Sequence, residues 1–357
     1  MKLKLLLERE NNMVYTVSSS EKLRKSAADS ETKALLYLMN FHENSDEIHY
    51  FVVDFFNDLT GMDRMGGRLW DIQSKGSKNN SPKALGRELV TLYKNFVSNF
   101  KFDSYILFVG GVSPTVRVDS IKNIFKIDNI QKNSLKKLKE GLVEEAQSKT
   151  YINPSDIIDN KIDEFLRNVL FVIDDKEPSD YVKSIIKDHI ALIPKNDELT
   201  AIFNEIRKIQ TDKKNTDPVE SITITSIDQS LYYYRHLTSG EIKTLVIGRL
   251  INKNPFEKAC PVPFIDIYSS FPPESRKDAL EECKIAFSRA LFNKNCAEEF
   301  WILFNETYNK ILDYPNKSVE EIFNLIDRNT KQNCPDFDVL SLKYFIATVK
   351  EGLQNDN

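Results

Sequence analysis

Gln73-Ser74-Lys75 sits in the segment Arg-Leu-Trp-Asp-Ile-Gln-Ser-Lys-Gly (68–76), which follows three spaced carboxylates, Asp54, Asp58 and Asp63. These are the residue types that metal-assisted phosphodiester cleavage requires. Acidic and amide oxygens hold a hard cation such as Mg²⁺. A lysine orients the attacking water and offsets charge developing in the pentavalent transition state. If 68–76 is a short strand, alternation places Asp71, Gln73 and Lys75 on one face and Trp70 and Ile72 on the other. The two apolar residues argue against a fully exposed strand.

The completing acid is a choice ranked Asp58, Asp63, Asp54. Asp58 precedes Gln73 by fifteen residues, a separation that suits two adjacent strands joined by a turn. Each of these aspartates could instead cap a turn, a common use of Asp. Gln73 carries one negative charge less than a glutamate would, so a second carboxylate is wanted. Glu31, on the preceding helix, is a candidate.

The elements that must position these groups follow from local pattern. Glu31–Phe41 favours helix, with Ser30 as N-cap. Ile48–Phe56 is β-branched and aromatic and predicts a buried strand. Residues 57–67 contain Gly61, Gly66 and Gly67 and predict a turn or irregular hairpin. Ser81-Pro82 opens a helix, serine at N-cap and proline at N1. Its apolar face runs from Leu85 to Phe100, with Lys83, Arg87, Lys94 and Lys101 on the opposite face. A strand over Ser104–Gly111 follows. The expected fold is an α/β domain with a mixed sheet over residues 1–118, then a mostly α-helical domain over 119–357. Within the latter, Val169–Ile173 predicts a short strand, Asp180–Ile193 and Glu198–Gln210 helices, and Thr211–Val219 a polar loop. Tyr232-Tyr-Tyr-Arg-His236 is expected to be core.

Composition limits the function classes. The 357 residues are 41% hydrophobic and 29% charged, as in ordinary soluble proteins. No apolar run approaches the roughly 20 residues a membrane-spanning helix needs. The N-terminal apolar run is too short for a signal peptide, so a cytoplasmic location is expected. The four cysteines match no zinc spacing and predict reduced thiols. The four histidines form no ligand pair, and no phosphate-binding G-x-x-x-x-G-K-[ST] loop occurs. A net charge of −4 excludes a generally basic nucleic-acid coat. Charge distribution matters more. From Ile72 to Lys101, five lysines and one arginine face a single acid, Glu88. That stretch, with Lys78, Lys83, Arg87, Lys94 and Lys101, is the candidate DNA-phosphate surface.

The block Asp54-Phe-Phe-Asn-Asp58-Leu-Thr-Gly-Met-Asp63, followed by Trp70-Asp-Ile-Gln73-Ser-Lys75-Gly, resembles the active-site hairpin of the PD-(D/E)xK nuclease superfamily. More narrowly it is similar to the double-stranded DNA endonuclease domain of bacterial antiphage effectors, in the variant that carries Gln-x-Lys. That domain caps CD-NTase-associated effectors and forms the nuclease subunit of Lamassu-type systems. The similarity covers residues 25–115.

The resemblance implies a restriction-endonuclease-like fold, a double-stranded DNA substrate and Mg²⁺ or Mn²⁺ as cofactor. It implies Asp58, Gln73 and Lys75 as catalytic residues. Metal ligands would come from Asp58, Asp63, Asp54 and Gln73, where Asp63 resembles the Gly-x-Asp presentation of related restriction-type nucleases. The implied partners are an SMC-like ATPase or other defence subunits, with self-assembly on activation and no membrane. A catalytically inactive DNA-binding scaffold and an RNase are the alternative expectations.

Overall fold

A computed structural model describes residues 14–17, 25–186, 189, 192–216 and 218–354. The N-terminal run read for a leader lies outside these residues. The chain divides into two compact units: the described residues up to Tyr181 with Phe203–Ser239, and Val182–Ile202 with Gly240 onward. This division differs from the expected one at 118/119. Residues 119–181 and 203–239 belong with the sheet because they supply its remaining strands.

The first unit is built on a seven-stranded mixed sheet in the order β6-β7-β5-β4-β3-β2-β9. A separate two-stranded ribbon pairs β1 (Tyr15–Thr16) with β8 (Thr223–Ile224). In the main sheet β2 (Ile48–Val53), β3 (Leu59–Asp63) and β4 (Leu69–Lys75) form an antiparallel meander. β5 (Ser104–Val109) runs parallel to β4, and β7 (Val169–Ile173) parallel to β5. Short antiparallel strands close the edges, β6 (Ile124–Phe125) beside β7 and β9 (His236–Thr238) beside β2. Central β5 is apolar on both faces, as a parallel strand covered on two sides must be.

The two faces are covered by different helices. α1 (Lys25–Asn40) lies against the face that carries Phe108, whose ring is 5.7 Å from Tyr37. The other face, with Leu69, Tyr105, Leu107 and Phe171, packs with α2 (Pro82–Glu88), α3 (Val90–Phe96), α4 (Lys132–Ser148) and α5 (Asp159–Asn168) in one core. Ser81 caps α2 as expected, its side chain accepting from the Ala84 N–H at 3.3 Å. The helix expected to continue to Phe100 breaks at Leu89, whose N–H reaches back three residues to Gly86 rather than four. α2 and α4 cross in backbone contact. A Cβ on Gly86 would stand 2.0 Å from the Leu138 carbonyl oxygen, and one on Gly141 2.2 Å from that of Lys83.

α6 (Asn196–Lys214) extends four residues into the expected polar loop. The helix expected over Asp180–Ile193 covers Pro178–Ile186, and most of its remainder lies outside the described residues. Tyr232 and Tyr234 are exposed, against the expectation of core, while Tyr233 packs on Phe55.

The second unit is mostly helical. Its long helices Arg276–Phe292, Ala297–Asp313 and Val339–Gln354 enclose an aromatic core in which Phe345 contacts Phe287, Phe300 and Phe304. All four cysteines are free thiols, and burial pushes those of Cys283 and Cys334 up to about 12. No helix among the described residues is long and apolar enough to cross a membrane.

Candidate active site

The β3–β4 pairing sets the site. Leu59 stands opposite Ile72, so Asp58, one residue earlier, is level with Gln73. Asp58 Oδ2 accepts from Gln73 Nε2 at 2.8 Å, the Ser74 N–H at 2.9 Å and Ser74 Oγ at 3.3 Å. The expected alternation along β4 holds, because Trp70 and Ile72 are fully buried while Gln73 and Lys75 reach helix side chains across the other face.

Each of these β4 side chains meets a partner on α2 or α3. Lys75 Nζ pairs with Glu88 Oε2 at 3.1 Å, and Gln73 Oε1 accepts from Thr91 Oγ1 at 2.6 Å. Asp71 Oδ2 accepts from Asn95 Nδ2 at 2.6 Å. Thr91 and Asn95 lie one turn apart on α3 and Glu88 ends α2, while 71, 73 and 75 follow strand spacing, so strand and helix side chains pair in order. The carboxamide orientation follows. With its NH₂ toward an acceptor carboxylate and its oxygen toward a hydroxyl donor, Gln73 satisfies both neighbours at once.

Carboxylates collect at this end of the sheet. Asp54 ends β2 in the left-handed region (φ 50°), and its N–H bonds to the Asp58 carbonyl at 3.1 Å. Its Oδ2 accepts from Arg235 Nη1 at 3.1 Å, and its Oδ1 lies 3.8 Å from Lys214 Nζ. Lys214 Nζ is also 3.2 Å from Glu31 Oε1 on α1. Burial raises Asp58 to about 6, against the pull of the Ser74 N–H and Lys214. Glu31 is raised to about 7, first by burial and then by the charge of Asp58. For Lys214 burial acts downward, but Glu31, Asp54 and Asp58 together outweigh it and the net direction is up.

Deeper under the sheet, burial lifts Asp71 to about 7 although Asn95, Asn57 and Thr60 all donate to it. Asp71 is therefore a framework group inside the core and has no exposed surface.

Two sets of nominated residues are placed elsewhere. Asp63 Oδ1 accepts from the Gly67 and Arg68 N–H groups at 2.7 and 2.9 Å, capping the β3–β4 turn. It is level with Arg68, so about seven strand residues, roughly 23 Å, separate it from Lys75. Asp63 is a turn residue and not part of this cluster. The continuous basic face is also absent, because the helix breaks. Lys83 and Arg87 share Glu144 at 2.6 and 3.4 Å. Lys94 points inward to the Phe56 carbonyl at 3.1 Å, over the Tyr15 ring, and burial pushes it down to about 8 against the pull of Asp71. Lys78, in the loop after β4, and Lys101, beyond α3, remain exposed.

Sequence reasoning missed Thr91, Arg235 and Lys214. Lys214 had a signal: Leu199, Phe203, Ile206 and Gln210 are buried at helical spacing, and Lys214 continues that stripe one turn on.

The donors suit a divalent cation in kind. Asp58 and Glu31 offer carboxylate oxygens, which are hard ligands. The expected Gln73 ligand, by contrast, has its amide oxygen turned to Thr91 and its NH₂ toward Asp58. Two carboxylates held above their ordinary range are what an added cation would relieve. Among the described residues, no three His, Cys, Asp or Glu side chains converge as a preformed cage. No family model, curated protein or solved structure matches the chain.

Proposed function

We propose that the chain is a metal-dependent DNA endonuclease that hydrolyses phosphodiester bonds as the cytoplasmic effector of a bacterial antiphage system. The observation that carries this reading is the contact of Asp58 with the Gln73 carboxamide at 2.8 Å, with Lys75 two residues further along the same face. Asp58 and Glu31 would hold Mg²⁺ or Mn²⁺, which would supply Lewis-acid polarisation of the scissile phosphate. Gln73, its amide oxygen turned to Thr91, positions Asp58 and is not a ligand in this orientation. Lys75 orients the attacking water and offsets charge on the phosphoryl oxygens, and Glu88 holds its ammonium over that position until substrate enters. Ser74 and Gln73 fix the Asp58 carboxylate so that it need not reorganise during the reaction. Exposed Lys78 and Lys101 contribute phosphate contacts that add salt-dependent affinity without sequence preference. The defence role and an SMC-like ATPase partner rest on the resemblance of residues 25–115 alone.

The engagement of Lys75 by Glu88 favours one second reading, a subunit that docks DNA without cutting it. Plasmid cleavage in Mg²⁺ by the purified protein and by its assembled complex, beside phage protection in cells, separates the two. Loss of both activities in Lys75→Ala is expected. Protection unchanged in Lys75→Ala, with no DNA cut by protein or complex, would refute the enzyme. Cleavage of RNA alone would make it a ribonuclease.

A further inference from the structure

The acidic end of the site already contains a cation. Lys214, the last residue of α6, is 8% exposed, and its ammonium stands between Glu31 Oε1 and Asp54 Oδ1. The helix holds it there: Gln210, one turn earlier, accepts from Thr32 Oγ1 of α1 at 2.8 Å, fixing α6 against the helix that carries Glu31. Arg235 takes the other oxygen of Asp54 and is itself buried.

The charges make a simple account. With all three ionised, Glu31, Asp54 and Asp58 bring three negative charges, and Arg235 and Lys214 return two positive ones, leaving one negative. Without Lys214 the remainder would be two negative charges, the balance of a single divalent ion. With Lys214 in place, a divalent ion would leave the cluster with an uncompensated positive charge in a poorly solvated site. Buried charges of that kind are costly. Ammonium and metal ion therefore compete for Glu31, the carboxylate that both would hold.

We propose that Lys214 is a built-in competitor of the metal ion, filling the cation position beside Glu31 and Asp54 and withdrawing when a divalent ion loads onto Asp58 and Glu31. This rests on the metal site of the proposed nuclease. It assigns to the C-terminal turn of α6 a direct hold over metal affinity, by a residue some 139 positions beyond Lys75 in the chain. Lys214 thus keeps the buried carboxylates compensated in the metal-free protein and sets the metal concentration at which the site fills.

The test uses the full chain and Mn²⁺, followed by the electron paramagnetic resonance signal of the free ion. Lys214→Met is expected to tighten Mn²⁺ binding about tenfold, from loss of one competing charge at close range. Lys214→Arg, which keeps the charge, should bind Mn²⁺ like the wild type. Lys214→Gln, a polar neutral variant, replaces Met should Met not fold. Thermal melts supply a second readout: the neutral variant is less stable than wild type without Mn²⁺ and gains more from adding it. Equal or weaker Mn²⁺ binding in the neutral variant, with Asp58→Asn abolishing binding in the wild type, overturns the competitor role and leaves the metal site standing. No saturable binding in any of them overturns the metal site and the proposal together.

Discussion

Asp58→Asn is expected to abolish cleavage and yet make the metal-free protein more stable near neutral pH. In the folded state the carboxyl rises from its ordinary 3.8 to about 6, with burial as the main cause. That rise corresponds to about 3 kcal/mol spent on keeping Asp58 ionised in the fold. Asparagine avoids this cost and retains the contacts, since its Oδ1 can accept from Gln73 Nε2 and from the Ser74 N–H and Oγ, as Asp58 Oδ2 does. The pulls of Ser74 and Lys214 on the charged form are already contained in that rise. What stands against the gain is the new carboxamide NH₂, which needs an acceptor of its own, about 1–2 kcal/mol. The net expectation is a gain on the order of 1–2 kcal/mol, or about 2–6 °C in Tm for a unit of this size.

The pH dependence has a definite sign. Below the unfolded pKa of 3.8 Asp58 is protonated in both states and contributes nothing. Between 3.8 and about 6 the folded state alone keeps its proton, so stability falls as pH rises, and the full penalty applies above about 6. The advantage of Asp58→Asn should therefore be largest at about pH 7.5 and shrink toward zero at about pH 4. Guanidinium titrations of both proteins in chelator across that range measure it. Added Mg²⁺ should stabilise the wild type and leave the variant unchanged. An Asp58→Asn protein less stable than wild type at neutral pH would show that the aspartate is a supporting group and not a strained one.

Gly86→Ala and Gly141→Ala each force a methyl group against a carbonyl oxygen 2.0 or 2.2 Å away, so α2 and α4 must separate. Each should lose at least about 1–3 kcal/mol in a chemical melt, and an unchanged melt would mean that the helices do not cross this closely. Thr91→Val removes the hydroxyl that fixes the Gln73 carboxamide; it should change stability by about 1 kcal/mol while lowering kcat, and Thr91→Ser should restore the rate. Wild-type turnover in Thr91→Val would show that the carboxamide needs no orienting. Asp63→Ala should cost about 1–2 kcal/mol through two orphaned turn N–H groups and leave Mn²⁺ binding intact. A loss of Mn²⁺ binding would return Asp63 to the site.

Much of the frame was legible because it follows from local pattern. The strand at Val169–Ile173 and the Ser81 cap match their expected positions, and the alternation of Asp71, Gln73 and Lys75 against Trp70 and Ile72 needed only the period of a strand. The break at Leu89 was not legible, since the apolar spacing runs through it without interruption. The turn just before the break packs on α4, where Gly86 meets residues some fifty positions away. The basic stripe failed for the same reason, because a helical projection assumes one axis and two short helices have two. Lys94 then turns inward toward Asp71. Thr91 and Arg235 could not be nominated from spacing, because each enters the site through tertiary contact; spacing places Lys214 on the buried stripe of α6 but not beside Glu31.

The topology itself decides between the aspartates. In an antiparallel meander the end of β2, the start of β3 and the end of β4 lie at one edge of the sheet, and the β3–β4 turn lies at the other. Asp54, Asp58 and the pair Gln73 and Lys75 occupy those three near positions, and Asp63 occupies the turn. Strand β4 then pairs in parallel with β5, whose end is level with Lys75, so the next connection also leaves from the same edge. Here β4 changes from an antiparallel to a parallel neighbour, and loops diverge from it on both sides. Glu31 of α1 and Lys214 of α6 reach that edge too, joined to each other and to Asp54 by ion pairs. One sheet edge thus gathers charged groups from five separate segments, and the burial that raises Asp58 and Glu31 is a consequence of that convergence.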